Sequence, residues 1–183
     1  MFIDSSYFVG ELNIAQLGQR TVQIKLDLFI SKREPEYLKT VLGFELYKAF
    51  NEGLEVDPIA TKWTDLRDGA DYTDASGLLQ HWDGFVNDEL SSPIANYVYY
   101  WFTRDNASKT TATAEKEDKT EGTVNVGPAM KQARAWNEMV CMNYKLHQFL
   151  KYKKTEAGDT VYTEFKGCNT SHDIFHEINI FNL

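Results

Sequence analysis

Two cysteines in 183 residues, Cys141 and Cys168, are too few for a disulfide framework. Cys141 falls in an apolar helical stretch, where a buried thiol behaves as a small hydrophobe. The pair points to synthesis in a reducing cytoplasm. No run approaches the roughly 18 consecutive apolar residues of a membrane span. The opening Met1-Phe2-Ile3-Asp4 has neither a basic n-region nor an apolar h-region, so no secretory leader is expected. Positive charge is in deficit, with 19 basic against 27 acidic residues, a net charge of −8 and a pI near 5.0. That balance argues against non-specific nucleic-acid binding, which needs clustered Lys and Arg on phosphates. It argues equally against docking on anionic lipid.

Catalytic signatures are also missing. There is no GxxxxGK[ST] phosphate loop, no GxGxxG turn and no GxSxG elbow. Carboxylates are abundant, so pairs arise by chance, and none has a recognisable context. His172-Asp173-Ile174-Phe175-His176-Glu177 imitates a zinc-protease helix, with histidines at i and i+4. Asp173 is one methylene shorter than the glutamate such a site needs, and no third ligand follows. Cys168 adds a C-x3-H-x3-H string without a fourth ligand. His147, on a long helical pattern, fits a hydrogen-bonded partner in a packed seam better than a catalyst. The expectation is no enzyme, no cofactor and no metal.

What the chain does have is a globular balance of 43% hydrophobic and 25% charged residues, at a length suited to one domain. Aromatics reach 14%, with 4 Trp, 10 Tyr and 11 Phe. Such a supply of rings serves a large core, a large oligomer interface, or both.

The apolar spacing predicts a mainly α fold, a compact helical bundle with a long polar loop and an extended, partly β C-terminal tail. The single domain divides into an N-terminal arm at 1–19, a helical part at 20–154 with the loop at 105–127, and the tail at 155–183. Residues 7–14 read as a short extended arm. Val22, Leu26, Phe29 and Ile30 mark a first helix, and Pro35 suits the first turn of a second. Gly43 offers a stop, and Leu46, Tyr47, Phe50 and Leu54 continue the helical stripe. Pro58 opens a helix over Ile59 to Leu66. The Gly- and Asp-rich run from Asp68 to Gly84 reads as an irregular connection.

Two stronger helices follow. One spans about Asp88 to Thr103, is capped by Ser91 or Ser92, and is apolar nearly all round. The other spans Pro128 to about Lys154, with Met130, Ala133, Trp136, Val140, Tyr144 and His147 on one row. The connection between them is polar, rich in Thr and Lys, and without predicted structure of its own. It is either a surface loop or a segment that orders on a partner. The apolar end of the tail, Ile174, Phe175, Ile178, Ile180, Phe181 and Leu183, must dock on something. Its own body and a neighbouring subunit both remain open.

Four stretches carry a further pattern. They are Tyr37-Leu38-Lys39-Thr40-Val41-Leu42-Gly43-Phe44-Glu45-Leu46-Tyr47-Lys48-Ala49-Phe50, then Trp82-Asp83-Gly84, then Ser92-Pro93-Ile94-Ala95-Asn96-Tyr97-Val98-Tyr99-Tyr100-Trp101, and last Lys131-Gln132-Ala133-Arg134-Ala135-Trp136-Asn137-Glu138-Met139-Val140. In this order, over roughly residues 20 to 150, the chain resembles the head–tail connector (adaptor, or ring) proteins of tailed phages and prophages of gut Bacteroidetes, crAss-like phages included.

The resemblance implies a non-enzymatic structural virion protein at the neck. It would be made in the host cytoplasm and assembled, usually as twelve copies, into a ring beneath the portal protein. Such a ring extends the DNA channel without binding DNA specifically, and it offers a platform to further tail or ring proteins. The alternative is another structural role in the virion, as a tail-completion or head-decoration protein. Candidate interface residues under this reading are Tyr97, Tyr100, Trp101, Trp136, Asn137, Ile174, Phe175, Ile178 and Phe181. The aromatic helix and the long helix would form an inter-helix core, with Asn137 free to hydrogen-bond an exposed backbone end. The 105–127 loop and the 172–183 tail are the expected contacts to the portal or the next ring.

Overall fold

Helix α1, Arg20–Leu42, runs straight through Pro35. The proline therefore does not start a new helix, as its position in the sequence suggests. Its ring nitrogen offers no donor to the carbonyl four residues earlier, a loss that ordinarily bends or ends a helix. Here one buried stripe crosses the break: Leu26, Ile30 and Glu34 before it, Tyr37, Leu38, Val41 and Leu42 after it. Burying each large apolar side chain is worth about 1.5–3 kcal/mol. Summed over the stripe, that outweighs the roughly 3 kcal/mol that a proline costs inside a helix.

This computed structural model describes residues 1–110, 115–117, 128–167 and 172–179. Among them the architecture is mainly helical, as the spacing predicts. Gly43, at φ +76, ends α1 and opens α2, Phe44–Leu54, which buries Leu46 and Phe50. Helix α3, Thr61–Asp68, begins later than Pro58 and buries Trp63 and Leu66.

The stretch after α3 is more regular than its composition suggests. Strands β1, Ala70–Thr73, and β2, Leu79–Trp82, form an antiparallel hairpin with Asp71 opposite His81 and Thr73 opposite Leu79. Asp74 closes the turn. Its carboxylate accepts from the Ser76 and Leu78 amides at 2.8 and 3.0 Å and from the Gln80 amide at 3.0 Å. An aspartate bonding to the backbone two residues on was the overlooked sequence signal. The inner face carries Tyr72 and Trp82, both buried and both within ring contact of Phe149. At the hairpin's base, Gly69 and Gly84 have positive φ, and a Cβ on either would lie 2.5 Å from the opposing backbone. That close approach lets the Phe85 and Val86 amides share the Arg67 carbonyl at 2.7 and 2.9 Å.

Helix α4, Pro93–Ala107, starts later than the pattern places it. Leu90 sits at φ +56, outside the helix, and the Asn87 side chain braces this bend against Asp83 and Ser91. The Ser92 hydroxyl accepts from the Ile94 amide at 3.3 Å, capping the start. Strands β3, Ser108–Thr110, and β4, Glu115–Glu117, then pair antiparallel, so the polar loop is not wholly structureless. Its remaining residues, 111–114 and 118–127, lie outside the described residues. Helix α5, Pro128–Tyr152, follows.

α4 lies between α1 and α5 and runs antiparallel to both. On one side Phe29 meets Phe102 at 5.3 Å and Tyr37 meets Tyr97 at 5.3 Å. On the other Tyr100 meets Trp136 at 4.6 Å and the Asn96 amide reaches the Met142 sulfur at 3.8 Å. Flanked on two sides, a helix that is apolar nearly all round is the expected solution.

The N-terminal arm and the run at 160–165 differ from the extended segments anticipated. The first residues form two 3-10 turns, Ser5–Tyr7 and Gly10–Leu12, and bury Ile3, Tyr7, Phe8 and Ile14. The β-forming run at 160–165 makes only an isolated bridge, Lys154 to Thr160. Its Tyr162 is buried instead, and the hydroxyl donates to the Lys62 carbonyl at 2.8 Å. Burial pushes that phenol far above its usual range.

The buried Glu34 carboxylate holds the first segment in place. One of its oxygens accepts from the Phe2 and Ile3 amides at 2.9 and 3.3 Å. Phe2 then stacks on Phe50 at 5.5 Å. Glu34→Ala leaves those amides without their acceptor, and about 2–3 kcal/mol of stability is lost in denaturant titration. Glu34→Gln keeps one acceptor oxygen and loses less than half of that.

Candidate functional site

α5 meets the tail through main-chain recognition. Residues 136–137 and 143–144 are two adjacent pairs one heptad apart, so they recur on the same face after two turns. The Trp136 indole donates to the His176 carbonyl at 2.8 Å. The Asn137 amide brackets Ile178, donating to its carbonyl at 3.1 Å and accepting from its N–H at 2.7 Å. The Asn143 amide donates to the Ile174 carbonyl at 2.8 Å, and the Tyr144 hydroxyl donates to the Phe175 carbonyl at 2.9 Å. The tail runs antiparallel to α5. Asn137 does for Ile178 what a neighbouring strand would do, satisfying both backbone groups at once.

Two anchors add apolar burial. Ile174 and Phe175 are buried in a 3-10 turn, Asp173–Phe175. Phe175 meets His147 at 4.7 Å and Tyr144 at 6.1 Å. Phe165 contacts the same imidazole at 5.2 Å. His147 thus sits between rings from either side of 168–171. Burial holds its pKa below the ordinary histidine value, and its hydrogen bond to the main chain at Val41 offsets this only in part.

The candidate interface residues divide by position. Tyr97, Trp136, Ile174 and Phe175 are buried within the chain itself. Tyr97 touches Tyr37 of α1 and Trp136 of α5, and its hydroxyl donates to Glu36 at 3.0 Å. Burial, with the Glu36 carboxylate adding to it, pushes that phenol up to about 12. Tyr100 and Trp101 are half-buried. The Arg33 and Arg104 guanidinium groups lie 4.4 and 5.3 Å from the Trp101 ring. Asn137 and Ile178 are half-buried and bonded to each other. Phe181 lies outside the described residues.

Of the two docking options open for the tail, the structure shows the chain's own body for 172–179. The surfaces of Ile174 and Phe175 that a neighbouring subunit would bind are therefore covered here. Sequence reading missed Asn143 and Tyr37, whose hydroxyl donates to the Asn143 side-chain oxygen. The available signal was the repeat of Trp-Asn and Asn-Tyr seven residues apart.

The histidine string does not form a ligand helix. His172 and His176 are exposed and flank a single 3-10 turn, and Cys168 lies outside the described residues. Among the described residues no group of His, Cys, Asp and Glu is placed to hold a metal ion. No described helix is long and apolar enough to cross a membrane. A recess of about 500 Å³ near the hairpin's base is lined by Asp68, His81, Asp83, Asp88 and Glu89. Arg67 pairs with Asp68 at 2.6 Å and Lys145 with Asp83 at 3.3 Å. No protein-family model, no curated protein and no solved structure matches this chain.

Asn143→Ala removes the Tyr37 and Ile174 bonds together inside the core. It costs about 2–4 kcal/mol and opens the chain to limited proteolysis beyond residue 167. Asn137→Ala, at a half-buried position, costs about 1–2 kcal/mol and gives the same cleavage pattern. Burial makes the folded chain's His147 take up a proton less readily than the unfolded chain, where its ordinary pKa is 6.5. Stability is therefore full above pH 6.5 and falls as pH drops toward the lowered folded value. A series of thermal melts shows that decline as pH drops below about 6.5, and His147→Gln flattens it.

Proposed function

We propose that this chain is a structural virion protein that forms a ring beneath the portal and joins head to tail. The observation that carries the reading is the order of the four sequence stretches together with their place in the fold. Tyr37–Phe50 covers the α1–α2 corner. Trp82-Asp83-Gly84 leaves the hairpin. Ser92–Trp101 and Lys131–Val140 supply the two sides of the α4–α5 seam. In this reading the stretches that resemble the connector proteins are the ones that build the helical scaffold.

Charge supports the same reading. Twelve copies at −8 each carry about −96. An acidic lumen repels the DNA backbone and makes no phosphate contacts, so DNA slides through it. The role is mechanical: subunits close a ring through heterologous contacts, one face of each against a different face of the next. The portal lies on one side and further ring or tail proteins on the other. The polar loop and the end of the tail are the segments offered to those neighbours.

Quantitative mass spectrometry of purified virions, with the portal as internal standard, tests this. The expected result is near one copy per portal subunit. Hundreds of copies would move the chain to the capsid surface as a decorating protein, and absence from the virion would overturn a structural role.

A further inference from the structure

We propose that the β1–β2 hairpin of one copy docks on the outer face of α1 of a second copy. The inference deepens the ring reading by naming its inter-subunit contact, and it rests on two exposed patches of opposite charge.

The first patch is the hairpin tip. Leu78 and Leu79 are 60% and 73% exposed. The tip is not slack, because Asp74 ties Ser76, Leu78 and Gln80 together. Little conformational freedom remains to be lost on docking. In the strand register Leu79 faces outward with Thr73, and Asp71 lies on the same face one pair away. Asp74 lies opposite Leu78, whose carbonyl accepts from the Asp74 amide at 2.9 Å. Each exposed leucine therefore has a carboxylate beside it, Asp74 bonded into the turn and Asp71 at 2.6 Å from the His81 ring on the same face.

The second patch is one row of α1. Arg20, Ile24, Leu28 and Lys32 follow each other at four-residue steps and all are exposed. Ile24 and Leu28, 50% and 64% exposed, stand in the middle. A cation stands at each end, and neither Arg20 nor Lys32 forms an ion pair among the described residues. The two aliphatic side chains lie about 6 Å apart along the axis and the two cations about 18 Å apart. The pattern is the reverse in charge of the hairpin tip: two aliphatics between bases against two aliphatics beside acids. Exposed leucines are common singly. Here the pairing of apolar centres with opposite flanking charge points to a second copy as the occupant.

The two patches cannot meet within one chain. The hairpin rests on the C-terminal half of α5, with Tyr72 5.6 Å from Phe149 and Lys153 donating to the Asp71 carbonyl at 2.8 Å. The N-terminal half of α1 rests on the far end of α4, where Lys25 pairs with Asp105 at 2.8 Å. That end of α4 lies beside the start of α5, since Tyr100 meets Trp136. Trp136 and Phe149 are about 20 Å apart along α5. Complementary patches at opposite ends of a molecule make a heterologous contact, which closes into a ring or continues as a filament. The patches are small beside the roughly 1,600 Å² of a standard interface, so a single contact is weak and is read at high concentration.

The test is a photo-crosslinking residue, p-benzoylphenylalanine, placed at Leu79 in the full chain. Its exposure makes the replacement compatible with folding, and circular dichroism checks this. Light and heavy-isotope chains are mixed at about 0.5 mM, where a contact with Kd near 1 mM is still populated. The expected product is a mixed-isotope adduct that maps to residues 20–32. Leu28→Asp in the accepting chain lowers its yield about tenfold or more. Asp71→Lys in the donating chain lowers it too, and Lys32→Glu in the accepting chain then restores it. No mixed-isotope adduct, or adducts confined to other segments, would overturn the proposal. Near one virion copy per portal subunit, with Leu79 adducts elsewhere, would overturn this contact and leave the ring reading standing. A count in the hundreds would remove the ring reading without touching the crosslink.

Discussion

One buried amide ties three parts of the chain together. The Asn143 side-chain oxygen accepts from the Tyr37 hydroxyl of α1, and its nitrogen donates to the Ile174 carbonyl of the tail. Asn143 is itself fully buried on α5. A polar group at that depth costs free energy unless it is matched, so the three segments are held to one mutual register. α4 then fills the space between α1 and α5, and its aromatic residues meet both. The hairpin, with Tyr72 and Trp82, packs against the far end of the same long helix.

The tail is recognised by its backbone more than by its side chains. Trp136, Asn137, Asn143 and Tyr144 bond to main-chain groups of four tail residues, while Ile174 and Phe175 supply apolar anchorage. An extended segment without a neighbouring strand would otherwise leave those groups to water or unpaired. A helix cannot donate its own backbone N–H groups sideways, because they are spent along its axis. Side-chain amides on a helix face are the way it can read an extended chain. His147 packs against Phe165 and Phe175, and burial disfavours its charged form, which makes the same seam sensitive to acid.

The rich supply of aromatic residues is largely consumed inside the chain. Tyr97, Trp136 and Phe175 build seams between its own elements, and Trp101 is half-covered with Arg33 and Arg104 against it. Among the described residues, the large apolar side chains left exposed include the pairs Ile24–Leu28 and Leu78–Leu79 as well as Phe44 and Tyr144. In the contact proposed between copies, specificity would rest on charge placement around small apolar patches. That is the regime in which electrostatic complementarity sets partner and register more than affinity.

Much of the helical layout was legible in local pattern. The stripes of α2, α4 and α5 and the stop at Gly43 follow from spacing and from glycine's freedom at φ +76, which are properties of neighbouring residues. Pro35 was misread because its local cost is visible in the sequence, whereas the buried stripe that overcomes it depends on α4 and α5. The β1–β2 hairpin hid behind a Gly- and Asp-rich composition, although Asp74 carried the turn signal. The Trp-Asn and Asn-Tyr repeat was present in the letters, but nothing local says which backbone it bonds. Ile174 and Phe175 had to be buried, since apolar residues gain by leaving water. Sequence alone thus determined helical content, acidity and the need to dock an apolar end. Tertiary structure decided the partners, because a hydrogen-bonding side chain states what it can bond and only the fold brings a particular carbonyl within reach.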